Sequence, residues 1–252
     1  VYPGALERCD GVDTDCDPAT DEEVDEDLDG YSACEGDCDD TDLAVNPGAA
    51  DLCGDGLDND CDGTADGASC FTCDRIVPDD HSTIQSAVGA SSNGDEICVR
   101  QGTYSGPVAT AGRQVEIVSF EGPTSTIIDA SGGTHALQLE MNAEATVSGV
   151  QFTGASQGGI LVTSGSYLFA EDIRVTGNTS SLGGGGVRVE YGGADIRSST
   201  IDFNTVFTSD PAQSYGAGLF ALGGSMVDLT ETDVAHNTLT VDHTDQSRIT
   251  GR

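Results

Sequence analysis

The feature that most constrains this chain is the stretch VDEDLDGYSACEGDCDD, from Val24 to Asp40, which holds eight carboxylates and two cysteines in seventeen residues with no Lys or Arg. Unit charges 4 Å apart repel by about 1 kcal/mol even in bulk water, and by more at a protein surface. Nothing within the stretch neutralises them, and it has too few apolar residues to bury a core. The surrounding third has the same character: Val1 to Asp66 carries 23 acidic residues against the single Arg8, whereas Gly67 to Arg252 carries 21 acids and eight arginines. The chain has no lysine and a formal net charge of −35 over 252 residues. Nucleic acid and anionic membranes are therefore excluded as partners, because phosphate recognition needs cationic side chains. A cation is the natural partner, and no apolar run approaches the roughly 20 residues of a membrane span.

The spacing of the aspartates says how a cation would be held. Asp25, Asp27 and Asp29 with Gly30 read DxDxDG, a pattern in which the chain curls round a hard cation and offers an oxygen from every second residue. Gly30 permits the sharp turn, and Tyr31 supplies its backbone carbonyl. Asp37, Asp39, Asp40 and Asp42 are the candidates for later ligands, with Cys34 and Cys38 pinning the returning chain. An EF-hand is excluded: its twelfth loop position, Gly36, should be a bidentate glutamate, and no amphipathic helix flanks the loop. Asp13, Asp15, Asp17, Asp21 and Glu22 form a second acidic group, and Asp55, Asp58, Asp60, Asp62 and Asp66 a third, so several ions are expected. Hard oxygen donors in this number favour Ca²⁺ over zinc or copper, and over Mg²⁺, which keeps more of its water. The competing reading is a solvated, disordered acidic tail, against which stand the cysteines and the glycines placed after aspartates.

Nine cysteines stand at 9, 16, 34, 38, 53, 61, 70, 73 and 98. Such density in a region poor in apolar residues reads as disulfide stapling in an oxidising compartment. A thiolate zinc site is the alternative, but only Cys70 and Cys73 form a CxxC and no second pair accompanies them. Two segments also repeat: Pro3, Gly4, Ala5 and Cys9 recur as Pro47, Gly48, Ala49 and Cys53, all offset by 44. A counterpart of GDCDDTD is then expected ahead of Val1, which makes this chain one piece of a longer repeated protein.

These residues carry a resemblance. The combination of DxDGY, GDCDD, PGA and DNDCDG across residues 1 to about 66 resembles the MopE-type metal-binding repeats of bacterial surface and secreted proteins, and more distantly the thrombospondin type 3 calcium repeats. The resemblance implies a secreted, disulfide-stapled module built round ions instead of a hydrophobic core. Copper remains the alternative metal; it prefers histidine or thioether ligands, and this third has neither His nor Met.

Beyond the CxxC the pattern changes. STIQSAVGA predicts a short amphipathic helix with Ser82 as N-cap and Ile84 and Val88 on one face, and Glu96 to Val99 a strand. Short β segments then recur every 23 to 33 residues. Aligned, SGVQFTGA, EDIRVTGN, STIDFNT and TDVAHNT put Val150, Ile173, Ile201 and Val234 in one inward column and Phe152, Val175, Phe203 and His236 in a second. GGILV, GGVRV and AGLFA stack Ile160, Val187 and Leu219, while Asn178, Asn204 and Asn237 share a turn where stacked amides can bond one another. Recurrence of the same inward residues, with two inward strands per repeat and no helix between them, predicts a solenoid of stacked rungs roughly 4.8 Å apart, a β-helix. TSDPAQSYG is a loop pushed out of one rung.

The order TIQSAV, GDEICV, GTY resembles the opening of pectin-lyase-like right-handed parallel β-helices, in which the helix caps the first rung. The resemblance implies that Cys98 bonds Cys73 or Cys70 behind the cap. The fold expected is thus mainly β: an irregular, calcium-binding, disulfide-stapled repeat module over 1–66, a linker over 67–81, and a parallel β-helix over 82–252 with an open final rung.

Many such β-helices cleave polysaccharides, and Asp172, Asp195, Asp202, Asp228 and Asp233 are the carboxylates that could act across a glycosidic bond. The paired-aspartate, histidine–glycine and arginine–lysine signatures of polygalacturonases are missing, and Arg174 and Arg197 are lyase-base candidates only by default. His81 and His135 fall at turns, His236 in a core column and His243 in the weakly patterned tail. The reading is a non-enzymatic, secreted or cell-surface structural or adhesive protein, a subunit or segment of a fibre. Its partners are calcium, copies of itself and surface polysaccharide; a lyase or glycoside hydrolase, or a copper-binding surface protein, are the alternatives.

Overall fold

The computed structural model describes residues 24–52, 56–65, 72–119, 121–208 and 216–241, and the chain divides into two compact units, Val1–Cys73 and Asp74–Arg252. The acidic unit has almost no regular structure among its described residues beyond a 3₁₀ turn over Ala33–Glu35. Among those described residues the buried apolar side chains are Ala44, Val45 and Leu52, while Ser32, Asp37, Asn46, Asp51 and Asn59 are buried polar ones. An interior richer in polar than apolar groups cannot be held by hydrophobic burial alone. Hydrogen bonds and the Cys38–Cys61 disulfide hold it instead, and Cys34 is disulfide-bonded too.

The second unit is built from parallel strands. One seven-stranded sheet is ordered β1 (Arg75–Val77), β2 (Asp95–Val99), β5 (Gln114–Val118), β8 (Glu144–Ser148), β11 (Tyr167–Glu171), β15 (Gly193–Arg197) and β19 (Met226–Thr230). A six-stranded sheet runs through β3 (Gly102–Ser105), β6 (Thr126–Asp129), β9 (Gln151–Thr153), β12 (Arg174–Thr176), β16 (Thr200–Asp202) and β20 (Asp233–Ala235). The five-stranded sheet holds β4 (Val108–Ala109), β7 (Leu137–Leu139), β10 (Ile160–Thr163), β14 (Val187–Glu190) and β18 (Leu219–Leu222). From β2 onward successive strands enter different sheets, and each pairs in parallel with its counterpart one coil away. This topology fits the expected β-helix, with three strands per coil rather than two. A short fourth sheet of β13 (Thr179–Ser180), β17 (Thr205–Thr208) and β21 (Thr238–Val241) appears only in the later coils. The TSDPAQSYG insertion lies almost wholly on residues 209–215, outside the described residues.

Ile97, Ile117, Val147, Ala170 and Ile196 form one inward column of the seven-stranded sheet, all nearly inaccessible. The helix α1 (Ile84–Ala90) packs against β1, β2 and β4 and buries Ile84, Ala87 and Val88 over the first coil. Its N-cap is Thr83, not Ser82: the Thr83 Oγ1 accepts from the Ser86 amide at 3.1 Å. Both hydroxyls are competent caps, and where the chain leaves extended geometry decides between them. Cys73 and Cys98 are both disulfide-bonded.

The predicted inward columns need one correction. In the six-stranded sheet Ile128, Phe152, Val175, Ile201 and Val234 stack in register. Ile201 and Val234 therefore lie above Val175, two residues from the partner that the aligned text suggests. Phe203 and His236 are not in the core: both are exposed and both have left-handed φ, +51 and +54. They occupy the bend position that Gly177 (φ +67) and Gly154 (φ +75) fill in earlier coils, and their rings stack outside, 5.2 Å apart. A slip of two residues preserves the face of a strand, which is why apolar pattern alone cannot detect it.

The asparagine column settles the register. Asn178 donates from its amide and Nδ2 to Asn204 Oδ1, each at 3.0 Å, and Asn204 donates likewise to Asn237 Oδ1. Asn178 and Asn204 are completely buried. Their Nδ2 atoms also satisfy strand carbonyls, Phe152 O and Val175 O respectively, so each amide serves the backbone of one coil and the side chain of the next.

Candidate metal centre

The loop at Asp25 is shaped by its own carboxylates. Asp25 Oδ1 accepts from the amides of Leu28 and Asp29 at 2.7 and 3.2 Å, and its Oδ2 from Gly30 at 2.9 Å. Asp27 Oδ1 accepts from the Asp29 amide at 3.1 Å, and Asp29 Oδ1 from that of Tyr31 at 2.8 Å. The turn places Leu28 and Gly30 at φ +68 and +101, the second being a conformation for glycine. Loop and return are stitched by Asp40, whose Oδ1 accepts from the Glu26 amide at 3.0 Å and whose Oδ2 accepts from that of Ala33 at 3.4 Å.

The same loop recurs 33 residues on. Asp58, Asp60, Asp62 and Gly63 repeat the DxDxDG spacing: Asp62 donates to Asp58 Oδ1 and Asp60 Oδ1, both at 3.1 Å, and Gly63 to Asp58 Oδ2 at 2.9 Å. Cys61 and Gly63 take the left-handed angles of Leu28 and Gly30, at φ +54 and +94. DEDLDG and DNDCDG are thus one motif. Their comparison would have shown this in the sequence, where the 44-residue offset of PGA draws attention first.

Among the described residues three carboxylate clusters result, in each of which one oxygen per residue lies within 4.8 Å of the others: Asp25, Asp27 and Asp29; Asp27, Asp37 and Asp40; and Asp51, Asp58 and Asp60. Asp37 is 7% exposed, and its Oδ2 and the Oδ2 of Asp27 are buried with no hydrogen-bond partner among the described residues. Buried carboxylate oxygens left unpartnered beside further carboxylates are costly unless a positive charge joins them. This observation fits a cation. Burial pushes the Asp27 carboxyl up to about 6; the Asp29 amide opposes the shift, and the charges of Asp29, Asp37 and Asp25 add to it. Asp37 is raised by burial too, against the Asp39 amide and with Asp29, Asp40 and Asp39 contributing. At Asp60 the Asp62 amide pulls downward, but desolvation and the charges of Asp51, Asp62 and Asp58 outweigh it and the carboxyl is raised.

Other expected ligands are spent locally. Asp39 Oδ1 accepts from Thr41 Oγ1 at 2.8 Å and Asp42 Oδ1 from the Ala44 amide at 3.1 Å; neither joins a cluster among the described residues, nor does Asp62. Asp13, Asp15, Asp17, Asp21, Glu22, Asp55 and Asp66 lie outside the described residues. Tyr31 is half-buried with its phenol against Gly48, where a Cβ would meet the Oη at 2.9 Å, so the DGY and PGA motifs depend on each other. Asp51 is the ligand candidate that the pattern of DxD pairs misses. It is 4% exposed and accepts from the amides of Asn59 and Asp60 at 2.8 and 3.3 Å. The repeat offers a signal, since the 44-residue offset pairs Asp51 with Glu7.

A buried polar chain joins the two loops: Asn46 Nδ2 donates to Asp29 Oδ2 at 2.7 Å, the Asn46 amide to Asn59 O at 2.8 Å, and the Asn59 amide to Asp51. The Cys38–Cys61 disulfide links the same halves, each cysteine directly following a clustered aspartate, Asp37 or Asp60.

Residues 1–22 and 37–67 match a family model described as "Putative metal-binding motif", Cu-binding MopE. The acidic unit carries a metal-binding motif. No curated protein and no solved structure matches the chain. The second matched segment contains Asp37, Asp40, Asp51, Asp58 and Asp60, the members of two of the three clusters apart from Asp27.

The hydrolase and lyase candidates are dispersed. Asp195 pairs with Arg197 at 2.7 Å on the seven-stranded sheet, and Asp202 with Arg174 at 2.9 Å on the six-stranded one. The Asp202 hydrogen bond raises the Arg174 guanidinium further, as that of Asp195 does for Arg197, the reverse of what a base requires. Asp172 sits at a left-handed bend, φ +48, with its carboxyl raised by burial and by Glu171; Asp228 and Asp233 are exposed. His81 is half-buried after β1, His135 is half-buried and held down in pKa chiefly by burial, and His243 is outside the described residues.

Proposed function

We propose that the acidic unit is a calcium-binding module of an extracellular structural or adhesive protein. The parallel sheets would form a right-handed, pectin-lyase-like β-helix serving as rod or recognition surface within a surface fibre. The observation that carries the calcium reading is the pair of buried, unpartnered oxygens on Asp27 and Asp37 inside an all-carboxylate cluster. Such a donor set suits a hard cation of flexible coordination. Copper is the second reading, favoured by the name of the matching family model. Against it, residues 1–66 contain no His or Met, and Cys34, Cys38 and Cys61 are disulfide-bonded and unable to act as thiolates. The extracellular reading rests on those disulfides, and the non-catalytic one on ion-paired arginines and scattered carboxylates.

Isothermal titration of the metal-free protein with Ca²⁺, Mg²⁺ and Cu²⁺ tests the assignment. Calcium should bind tightest, and Asp37→Asn should weaken it by at least tenfold. Copper binding that outcompetes calcium and ignores Asp37→Asn would overturn the reading. Release of reducing ends from acidic polysaccharide would establish the enzyme alternative.

A further inference from the structure

The outer face of the seven-stranded sheet presents a groove that the cation module does not explain. Two cavities, of about 330 and 200 Å³, meet at Thr146. The groove follows an outward column in which Glu96, Glu116, Thr146, Phe169 and Asp195 lie in successive strands. Its centre is aromatic: the Tyr167 and Phe169 rings sit 4.6 Å apart and tilted by 38°, and Phe169 is 40% exposed. Its sides are acidic, with Glu116, Glu144 and Glu171 making no ion pair among the described residues. Among the described residues the one cation in the lining, Arg197, is held in a two-point contact by Asp195 at 3.0 and 2.7 Å. Crowding extends to the first coils, where burial, then Glu116 and Asp74, raise Glu96.

An exposed aromatic ring backed by a half-buried one and flanked by carboxylates outside any ion pair among the described residues complements a ligand with both apolar faces and positive charges. Two kinds of linear polymer have them, a basic peptide and a glycan of amino sugars. A peptide gains affinity on a sheet mainly by adding a strand at an edge. Here β5, β8, β11 and β15 are each paired on both sides, so the groove floor has no free edge to offer. Rigid sugar rings need none; they stack through their C–H faces and lose little conformational freedom.

We propose that this groove binds a linear glycan of deacetylated amino sugars, a ring stacked on Phe169 and its ammonium groups paired with Glu116, Glu144 and Glu171. The inference is independent of the metal assignment, since every residue it uses belongs to the second unit.

The test is calorimetric titration of the full chain, in millimolar calcium and physiological salt, with hexamers of glucosamine, N-acetylglucosamine and galacturonate and with hexalysine. The glucosamine hexamer should bind at least tenfold tighter than the other three. Phe169→Ala and Glu171→Gln should each weaken it about tenfold, the scale of one desolvated cation–π or charge-assisted contact, with unchanged circular dichroism. Three results would overturn the proposal. One is absence of glucosamine-hexamer binding. Another is equal binding of the acetylated or the uronate hexamer. The last is hexalysine binding as tightly with no response to Phe169→Ala, which would show diffuse attraction of cations to an acidic chain.

Discussion

Lowering the pH should move the stability of the acidic unit in opposite directions with and without its cation. In the ion-free protein Asp27 is raised to about 6, whereas in the unfolded chain an aspartate titrates near about 3.9. Between those values the folded state holds a proton that the unfolded state has released. Ion-free stability therefore falls as pH rises from about 4 to about 6, and is regained on acidification. Cation binding requires the ionised carboxylate, so protons and cation compete. With a pKa of about 6, Asp27 alone should weaken apparent affinity by about tenfold between pH 7 and pH 5. Asp37, raised for the same reasons, adds to this. Calorimetry in two buffers of different ionisation enthalpy should show proton release on binding that grows below pH 7, and Asp27→Asn should abolish most of it. Calcium affinity that is flat from pH 7 to pH 5, with no buffer-dependent heat, would refute the idea that the buried Asp27 carboxylate meets the ion.

Asn204→Ala removes the partners of the Asn178 amide and of Val175 O, both in the buried ladder. At about 1–3 kcal/mol per orphaned group, urea denaturation should report a loss of about 2–5 kcal/mol; Asn142→Ala, at an exposed bend, should cost under about 1 kcal/mol. Phe203→Gly should change stability by no more than about 1 kcal/mol, since it trades an external ring contact for relief of a left-handed residue; a loss of about 3–5 kcal/mol would return Phe203 to the core. Gly48→Ala should weaken calcium binding and displace Tyr31, seen as altered tyrosine fluorescence, because its Cβ would press on the phenol. Chelation should make residues 24–65 sensitive to protease, with the second unit still resistant.

Much of this was legible in the text. Stacking of Ile160, Val187 and Leu219 follows from the recurrence of two small residues, Gly-Gly or Ala-Gly, before an apolar residue, and the pairing bears it out. Asn178, Asn204 and Asn237 could be placed in one column because a polar residue recurring among apolar strands has few places to go. The DxDxDG spacing announced a loop that wraps on its own carboxylates, since the backbone amides that Asp25, Asp27 and Asp29 accept from lie two to five residues ahead. Phe203 and His236 show where reading failed. A residue such as Phe203, two positions from the buried Ile201, looks inward by alternation, and only the bend that takes the chain out of the strand reverses it.

What the sequence by itself determined is therefore local or periodic: the acidic loops, the stapled and the repetitive parts, and the inward face of most strands. The tertiary structure decided what depends on distance through space. It selected Asp37 and Asp40 over Asp39 and Asp42, brought Asp51 to Asp58 and Asp60, and joined the loops through Asn46 and Asn59. No spacing rule could supply those choices, because each sets one buried carboxylate against another from a different turn of the chain. Whether such a meeting is tolerable depends on the charge of what lies between them.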